Sequence, residues 1–292
     1  MLTRRSFTCL VAAAISAPTL DIRALAQSPV QSPAVPSFSV MIWTLTRNNT
    51  FEQALDICAQ AGYHQVELVG EFKKWSDNDY TRILARLKTL GITIDSVAGT
   101  SKGFADPNGG DAFIADLTQL IPIVKRLGSK QIIFVSGKRL DVPQAVQHQA
   151  CIDNLKRAVP LLEAGGMNGV IEPIDRLEQP QIYLDGVNEG FEIVRAVGSP
   201  NMRVLYDLYH EQRSQGNIIE KLEKNIDWVG LIHIADVPGR HEPGTGEMNY
   251  DNIYRTLARL KYKGTIAMEF YGTGDVVKDL RAAREQVLRD YA

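Results

Sequence analysis

"GVIEPIDRLEQPQIYLDGVNEGFEIVRAVGSPNMRVLYD", residues 169–207, holds one complete structural period of this 292-residue chain. The apolar run "GVIEPI" reads as a strand covered on both faces, since it lacks the strict alternation of a half-solvated one. A polar stretch broken by Gly and Pro follows. An amphipathic helical pattern then covers Val187–Val197 and stops at Gly198, a residue suited to the left-handed turn that ends helices. "MRVLYD" opens the next strand. Each of the two strands carries a carboxylate at or near its end, Glu172 and Asp207.

The same period recurs along the chain. "FSVMIW" precedes a helical pattern at 51–61, "QVELV" one at 80–90, "ITIDSVA" one at 111–127 and "KQIIFV" one at 142–164. Beyond the quoted window, "MRVLYD" leads to a pattern at 218–225, "WVGLIHIAD" to one at 250–260 and "TIAMEFY" to one at 276–289. Gly62, Gly91 and Gly128 punctuate helix ends as Gly198 does. Eight strand–helix units in roughly 250 residues predict an α/β fold, a (β/α)8 TIM barrel built as a single domain. An open doubly wound sheet would carry a Gly-rich phosphate loop after its first strand, and "IWTLTRNNT" is not one.

Composition sets the outer limits. With 45% hydrophobic and 23% charged residues and a net charge of −2, the chain reads as an ordinary globular protein. It has no basic excess, so nucleic acid is not an expected partner and a small molecule is. The first residues read differently. "MLTRRSFTCLVAAAISAP" carries Arg4 and Arg5, then an apolar stretch from Cys9 to Ala17, and "ALAQ" supplies a small-residue cleavage site. That order predicts a twin-arginine signal peptide over 1–26, cut after Ala26, and export to the periplasm. The alternative is an amphipathic helix that stays attached. The apolar stretch is too short to span a bilayer, so no stable membrane anchor is expected. "QSPVQSPAVPS", 27–37, reads as a Pro/Ser-rich linker, which leaves 38–292 for the barrel. Cys58 and Cys151 sit in helical patterns and are expected as buried free thiols, although an oxidising compartment permits a bridge.

A barrel places its chemistry where strands end and βα loops begin. Those positions hold Glu172, Asp207, His233 and Glu269 on the fifth to eighth strands, spaced by 35, 26 and 36 residues. Taken singly, each has an ordinary alternative as a turn former, helix cap or core histidine. Together they aim three carboxylates and one imidazole at one point, where mutual repulsion calls for a cation. Oxygen-rich ligation with one nitrogen suits Mn²⁺, Mg²⁺ or Co²⁺, with Zn²⁺ also compatible.

These residues carry a resemblance. "IEP" at 171–173, "YDLYHEQ" at 206–212 and "HIADVPGRHEPGTGEMNY" at 233–250 are similar to segments of the xylose-isomerase-like sugar isomerases and epimerases, hydroxypyruvate isomerases above all. The resemblance runs from Phe38 to the C-terminus. It implies a divalent metal held by Glu172, Asp207, His233 and Glu269, with Glu172 and Glu269 moving protons. It also implies His210 and Arg240 as substrate-binding groups, with Glu178 a further candidate. The implied reaction is isomerisation or epimerisation of a small sugar or hydroxy-keto acid through a metal-stabilised ene-diolate. Two departures leave the substrate open: "EFYGTG" stands where that family has Lys-Pro after the last Glu, and "SVAGT" lacks the His-Asn pattern expected there. A periplasmic ketose or a 3-keto sugar fits as well as hydroxypyruvate.

Within the long loop, Asp236 is expected to orient a ligand or Arg240, and Glu242 and Glu247 to brace the loop. His241 is expected in solvent, and His64 and His148 in structural roles. Trp43 and Phe104 are candidate pocket walls, with rim packing as the alternative. The Gly-rich "SVAGTSKGFADPNGGD" reads as a mobile lid, not a phosphate cradle. Rival functions on the same barrel are a dehydratase or lyase of an inosose or keto sugar, which starts from the same enolisation, and a non-catalytic sugar-binding barrel. An apurinic endonuclease would need more histidines than the five present. Assembly into a homo-oligomer is compatible with the sequence and not required by it.

Overall fold

The computed structural model describes residues 35–291, so the expected signal peptide and most of the expected linker lie outside the described residues. Eight strands, β1 (Ser37–Met41), β2 (Gln65–Val69), β3 (Thr93–Ala98), β4 (Gln131–Val135), β5 (Asn168–Glu172), β6 (Met202–Asp207), β7 (Val229–Ile234) and β8 (Thr265–Met268), form a closed barrel in chain order. Neighbouring strands are parallel, and β8 pairs back onto β1 to close the ring. The helices are α1 (Trp43–Thr46), α2 (Phe51–Gln60), α3 (Asp77–Leu90), α4 (Gly110–Leu127), α5 (Gln144–Gly165), α6 (Val187–Val197), α7 (Leu208–Ser214), α8 (Ile218–Asn225), α9 (Tyr250–Arg259) and α10 (Val276–Tyr291).

The apolar strands are explained by two cores. Met41, Ile133, Val170, Leu205, Leu231 and Ala267 point inward and fill the barrel. Their neighbours Val40, Ile132, Ile171, Val204, Ile232 and Ile266 point outward and pack under the helices. A strand buried on both faces cannot alternate apolar with polar, which is why these runs are continuous. Gly198 closes α6 in the left-handed conformation, φ 74°, as its position in the sequence predicts.

Several details differ from expectation. β1 begins at Ser37, one residue into the expected linker, and ends at Met41, so Ile42 and Trp43 leave the strand. Helix α7 follows β6 without a break, because the Asp207 carboxylate accepts the amides of Tyr209 (2.7 Å) and His210 (3.1 Å) and so caps it. The loop after β3 packs down onto the β4 end at Gly103–Ala105. Gly103 lies so close to the Ser136–Gly137 backbone that an added Cβ would stand 2.3 Å from the Ser136 carbonyl, and the Ala105 amide donates to that carbonyl at 2.9 Å. Phe104 is fully buried against Phe113 and belongs to the core, not to a pocket wall. Cys58 and Cys151 are buried free thiols, and burial pushes both away from ionisation. No helix among the described residues is long and apolar enough to cross a membrane.

Candidate active site

Strand register brings the four strand-end groups together. Asp207 of β6 stands directly opposite His233 of β7. Glu269, one residue past β8, is held to β7 by its amide, which donates to the Ile234 carbonyl at 3.1 Å. Glu172 closes β5. One donor atom from each of Glu172, Asp207, His233 and Glu269 lies within 4.8 Å of the others, and all four side chains are largely shielded from solvent. His233 Nδ1 is 2.6 Å from Glu269 Oε2.

Three carboxylates this close need positive charge, and the long loop after β7 delivers it. Arg240 Nη2 lies 2.8 Å from Glu269 Oε2 and 3.1 Å from Asp207 Oδ2. Its backbone adopts φ 58°, the left-handed region that a non-glycine residue rarely enters, so the loop must hold it there. Trp43 Nε1 donates to Glu269 Oε1 at 2.9 Å, which makes Trp43 part of the site.

This arrangement pushes the two candidate proton-transfer groups apart. Burial, then the charge of Glu269, raises the Glu172 carboxyl to about 7. Burial acts on Glu269 in the same direction, but Arg240 and His233 outweigh it and hold that carboxylate well below its usual range. For His233 burial opposes the charged form, and Glu67 and Glu269 overcome it, so its pKa rises far above normal. His210 behaves alike: burial lowers it, Asp207 and Asp175 raise it, and the net direction is up. Two carboxyls of opposed protonation preference in one site are what acid–base chemistry at neutral pH requires.

His210 is fixed from behind. Its Nδ1 faces Asp175 Oδ2 at 2.7 Å, which turns Nε2 toward Arg240 Nη1 (3.3 Å), Asp207 Oδ2 (3.6 Å) and Glu172 Oε1 (3.8 Å). Glu178 meets Arg240 Nη1 at 3.0 Å and Arg213 Nη1 at 3.3 Å, so it braces the arginine. Asp175, Glu178 and His210 converge closely enough to hold an ion. Arg213, 3.2 Å from Asp175, and Arg240 already neutralise both carboxylates of that trio, which reads as a salt-bridge cluster.

The donor set at the strand ends does fit a divalent cation. Asp207 spends Oδ1 on capping α7 and turns Oδ2 inward, and His233 is gripped on Nε2 by Glu67 at 2.9 Å, leaving Nδ1 inward.

Asp236 touches neither the ligand set nor Arg240. Instead its two oxygens accept the amides of Val237, Gly244, Gly246 and Met248 at 2.8–3.1 Å and organise the loop. Glu242 braces it through Thr273, and Glu247 meets Gln212 at 3.4 Å. His241 is half-buried, with Nδ1 2.9 Å from the Tyr271 carbonyl, not in solvent. His148 pairs with Glu189 at 3.0 Å, while His64 is exposed. Glu67, Asp95 and Asp175 were not expected at all. Glu67 is hidden in "QVELV", where a lone Glu reads as the solvent-facing residue of a strand. Asp175, three residues past Glu172, could have been found from the density of acids in "EPIDRLE".

Comparison with known proteins agrees with this geometry. Residues 55–290 match the family described as xylose isomerase-like TIM barrel. Hydroxypyruvate isomerase of Escherichia coli (strain K12) is 28% identical over 240 residues, 80% of this chain and 92% of that protein. A 2-oxo-tetronate isomerase of Pectobacterium atrosepticum is 32% identical over 252 residues, 82% of this chain and 94% of that protein. A solved structure described as an AP endonuclease, family 2, from Brucella melitensis shares the fold, with a TM-score of 0.79 at 23% identity, covering 86% of this chain and 99% of that one.

Proposed function

The chain belongs to the xylose isomerase-like TIM-barrel family, and from that premise we propose that it is a sugar isomerase/epimerase that enolises a small sugar or hydroxy-keto acid. The names of its hydroxypyruvate and 2-oxo-tetronate isomerase relatives support this reading. The observation that carries it is the pair Glu172 and Glu269. The two stand at the ends of β5 and β8, flank Asp207 and His233, and have opposed protonation preferences.

Glu269, kept ionised by Arg240 and hydrogen-bonded by Trp43, takes the proton from the carbon beside the carbonyl. The C–H electron pair becomes the double bond of an ene-diol, and the carbonyl oxygen takes up the charge. Glu172, whose carboxyl is pushed toward the protonated form by burial and the charge of Glu269, returns a proton to carbon. Epimerisation returns it to the same carbon from the opposite face. Isomerisation returns it to the neighbouring carbon while a proton passes between the two oxygens. Arg240 and His210 Nε2 hold the substrate oxygens, and Glu178 keeps Arg240 in place. A divalent cation held by Glu172, Asp207, His233 and Glu269 supplies Lewis-acid charge; Mn²⁺, Mg²⁺ and Co²⁺ suit the donors, with Zn²⁺ also compatible. The order of charge, apolar stretch and cleavage site in residues 1–26 supports delivery to the periplasm.

Incubation with ketoses, 3-keto sugars, 2-oxo acids and hydroxypyruvate in deuterated water tests the reading. Deuterium should enter the carbon beside the carbonyl of at least one class. A full panel without exchange by metal-loaded protein would remove the assignment. Changing Arg4 and Arg5 to Lys should block export, and unimpaired export would count against the twin-arginine route.

A further inference from the structure

Glu67 is fully buried in the barrel on β2. Its Oε2 lies 2.9 Å from His233 Nε2, while His233 Nδ1 lies 2.6 Å from Glu269 Oε2. An imidazole gripped between carboxylates must settle where its protons sit. With a proton on Nε2, donated to Glu67, the Nδ1 lone pair is free to face the cluster of Glu172, Asp207 and Glu269. The other tautomer puts a proton into that cluster and removes a nitrogen ligand. The geometry points to Glu67 as a positioning residue that commits His233 to the Nε2–H form, so that Nδ1 ligates the divalent cation. This rests on the cation site proposed above.

A second observation supports it. Glu67 is anchored by a polar chain through the barrel. Asp95 of β3 adjoins it, and both Glu67 Oε1 and Asp95 Oδ2 are buried without a hydrogen-bond donor. A proton on Asp95 satisfies both oxygens at once. Burial, then the charge of Glu67, raises the Asp95 carboxyl to about 7, in keeping with that assignment. Asp95 Oδ1 accepts from Thr265 Oγ1 at 3.1 Å, and Thr265 Oγ1 meets Ser37 Oγ at 2.8 Å, at the starts of β8 and β1 on the far rim. Asp95 falls where β3 has one residue more than β2, since Val66 pairs with Ile94 and Glu67 with Ser96. Such bulges re-aim side chains. Two acids inside a barrel cost stability that an apolar pair would not. Service to His233 accounts for that cost.

The test uses the full chain with Co²⁺ as the probe. Nitrogen NMR of the wild type loaded with diamagnetic Zn²⁺ should show His233 with its single proton on Nε2 and none on Nδ1. Glu67→Leu should weaken Co²⁺ binding by about 10–100-fold and shift the His233 tautomer, the usual range for lost outer partners of a metal-bound histidine. Glu67→Gln, whose amide oxygen still accepts from Nε2–H, should recover most of the affinity. Glu67→Leu with wild-type affinity, or a wild-type His233 protonated only on Nδ1, would overturn the inference; the second readout stands even if the Leu variant does not fold. Loss of binding in His233→Ala but not in Glu67→Leu would sink this inference alone. Retention in both His233→Ala and Asp207→Ala would sink the cation site itself.

Discussion

Asp175 holds His210 Nδ1 at 2.7 Å, and that contact decides which edge of the imidazole meets the site. Asp175 is almost fully buried and is steadied by the amides of Leu177 and Glu178 at 2.9 and 3.0 Å, so its own position is fixed. Replacing Asp175 by Ala frees the ring to turn and leaves Arg213 short of one partner. The expected outcome is a fall of about 10–100-fold in kcat/KM, by analogy with other partners that orient a histidine. Asp175→Asn, which can still accept from Nδ1–H, should lose less. Equal losses in the two variants would mean that charge, not orientation, is what Asp175 supplies.

Glu172→Gln and Glu269→Gln should each lower kcat by about 10²–10⁴-fold, the usual contribution of a general acid or base. Substrate affinity should change less than kcat, since Arg240 and His210 remain. Deuterium exchange beside the carbonyl separates the two roles. Glu269→Gln should abolish exchange, while Glu172→Gln should allow proton removal yet slow product formation. Exchange at the wild-type rate in Glu269→Gln would assign the base elsewhere.

The barrel and its four strand-end groups are legible in the sequence for the same physical reason. A sheet buried on both faces forces continuous apolar runs, so Glu172, Asp207 and His233 stand out as interruptions at a fixed place in each period. Glu67 and Asp95 do not stand out, because "QVELV" and "ITIDSVA" alternate enough to pass for half-solvated strands. Only closure of the ring and the bulge in β3 turn those acids inward. Asp236 was legible as important but not in its role. A carboxylate in a loop can serve a ligand or the loop's own amides, and composition does not distinguish the two. Phe104 illustrates the converse: an aromatic in a Gly-rich loop looks like a pocket wall until Gly103 allows the loop to fold down and bury it.

Asp236→Ala tests the loop as a unit. The substitution leaves the amides of Val237, Gly244, Gly246 and Met248 without their acceptor at the base of the loop that carries Arg240. Each buried group left unpaired costs about 1–3 kcal/mol, although amides near the surface recover much of that from water. A loss of a few kcal/mol and a lower Tm are expected. Activity should fall further than stability accounts for, because Arg240 depends on the loop for its left-handed backbone. Full activity in a folded Asp236→Ala protein would show that Arg240 is held by its ion pairs with Glu178, Asp207 and Glu269 alone.

The pH dependence of stability should carry the signature of Asp95. Its carboxyl is raised to about 7 in the folded protein, by burial first and Glu67 second, against roughly 3.9 for an unfolded chain. Below about pH 4 it is protonated in both states and contributes no pH dependence. Between those values the folded state holds a proton that the unfolded state has lost, so each unit of rising pH removes up to about 1.4 kcal/mol. Above the folded value both states are ionised, and the loss is complete and constant. Asp95→Asn deletes this titration and, through its amide, keeps a donor for Glu67 Oε1. Urea unfolding of wild type and variant from pH 4.5 to 8 should therefore show the difference in stability moving steadily in favour of Asp95→Asn up to about pH 7 and then levelling off. Parallel curves across that range would mean that Asp95 is ionised when buried, and that another group protects Glu67.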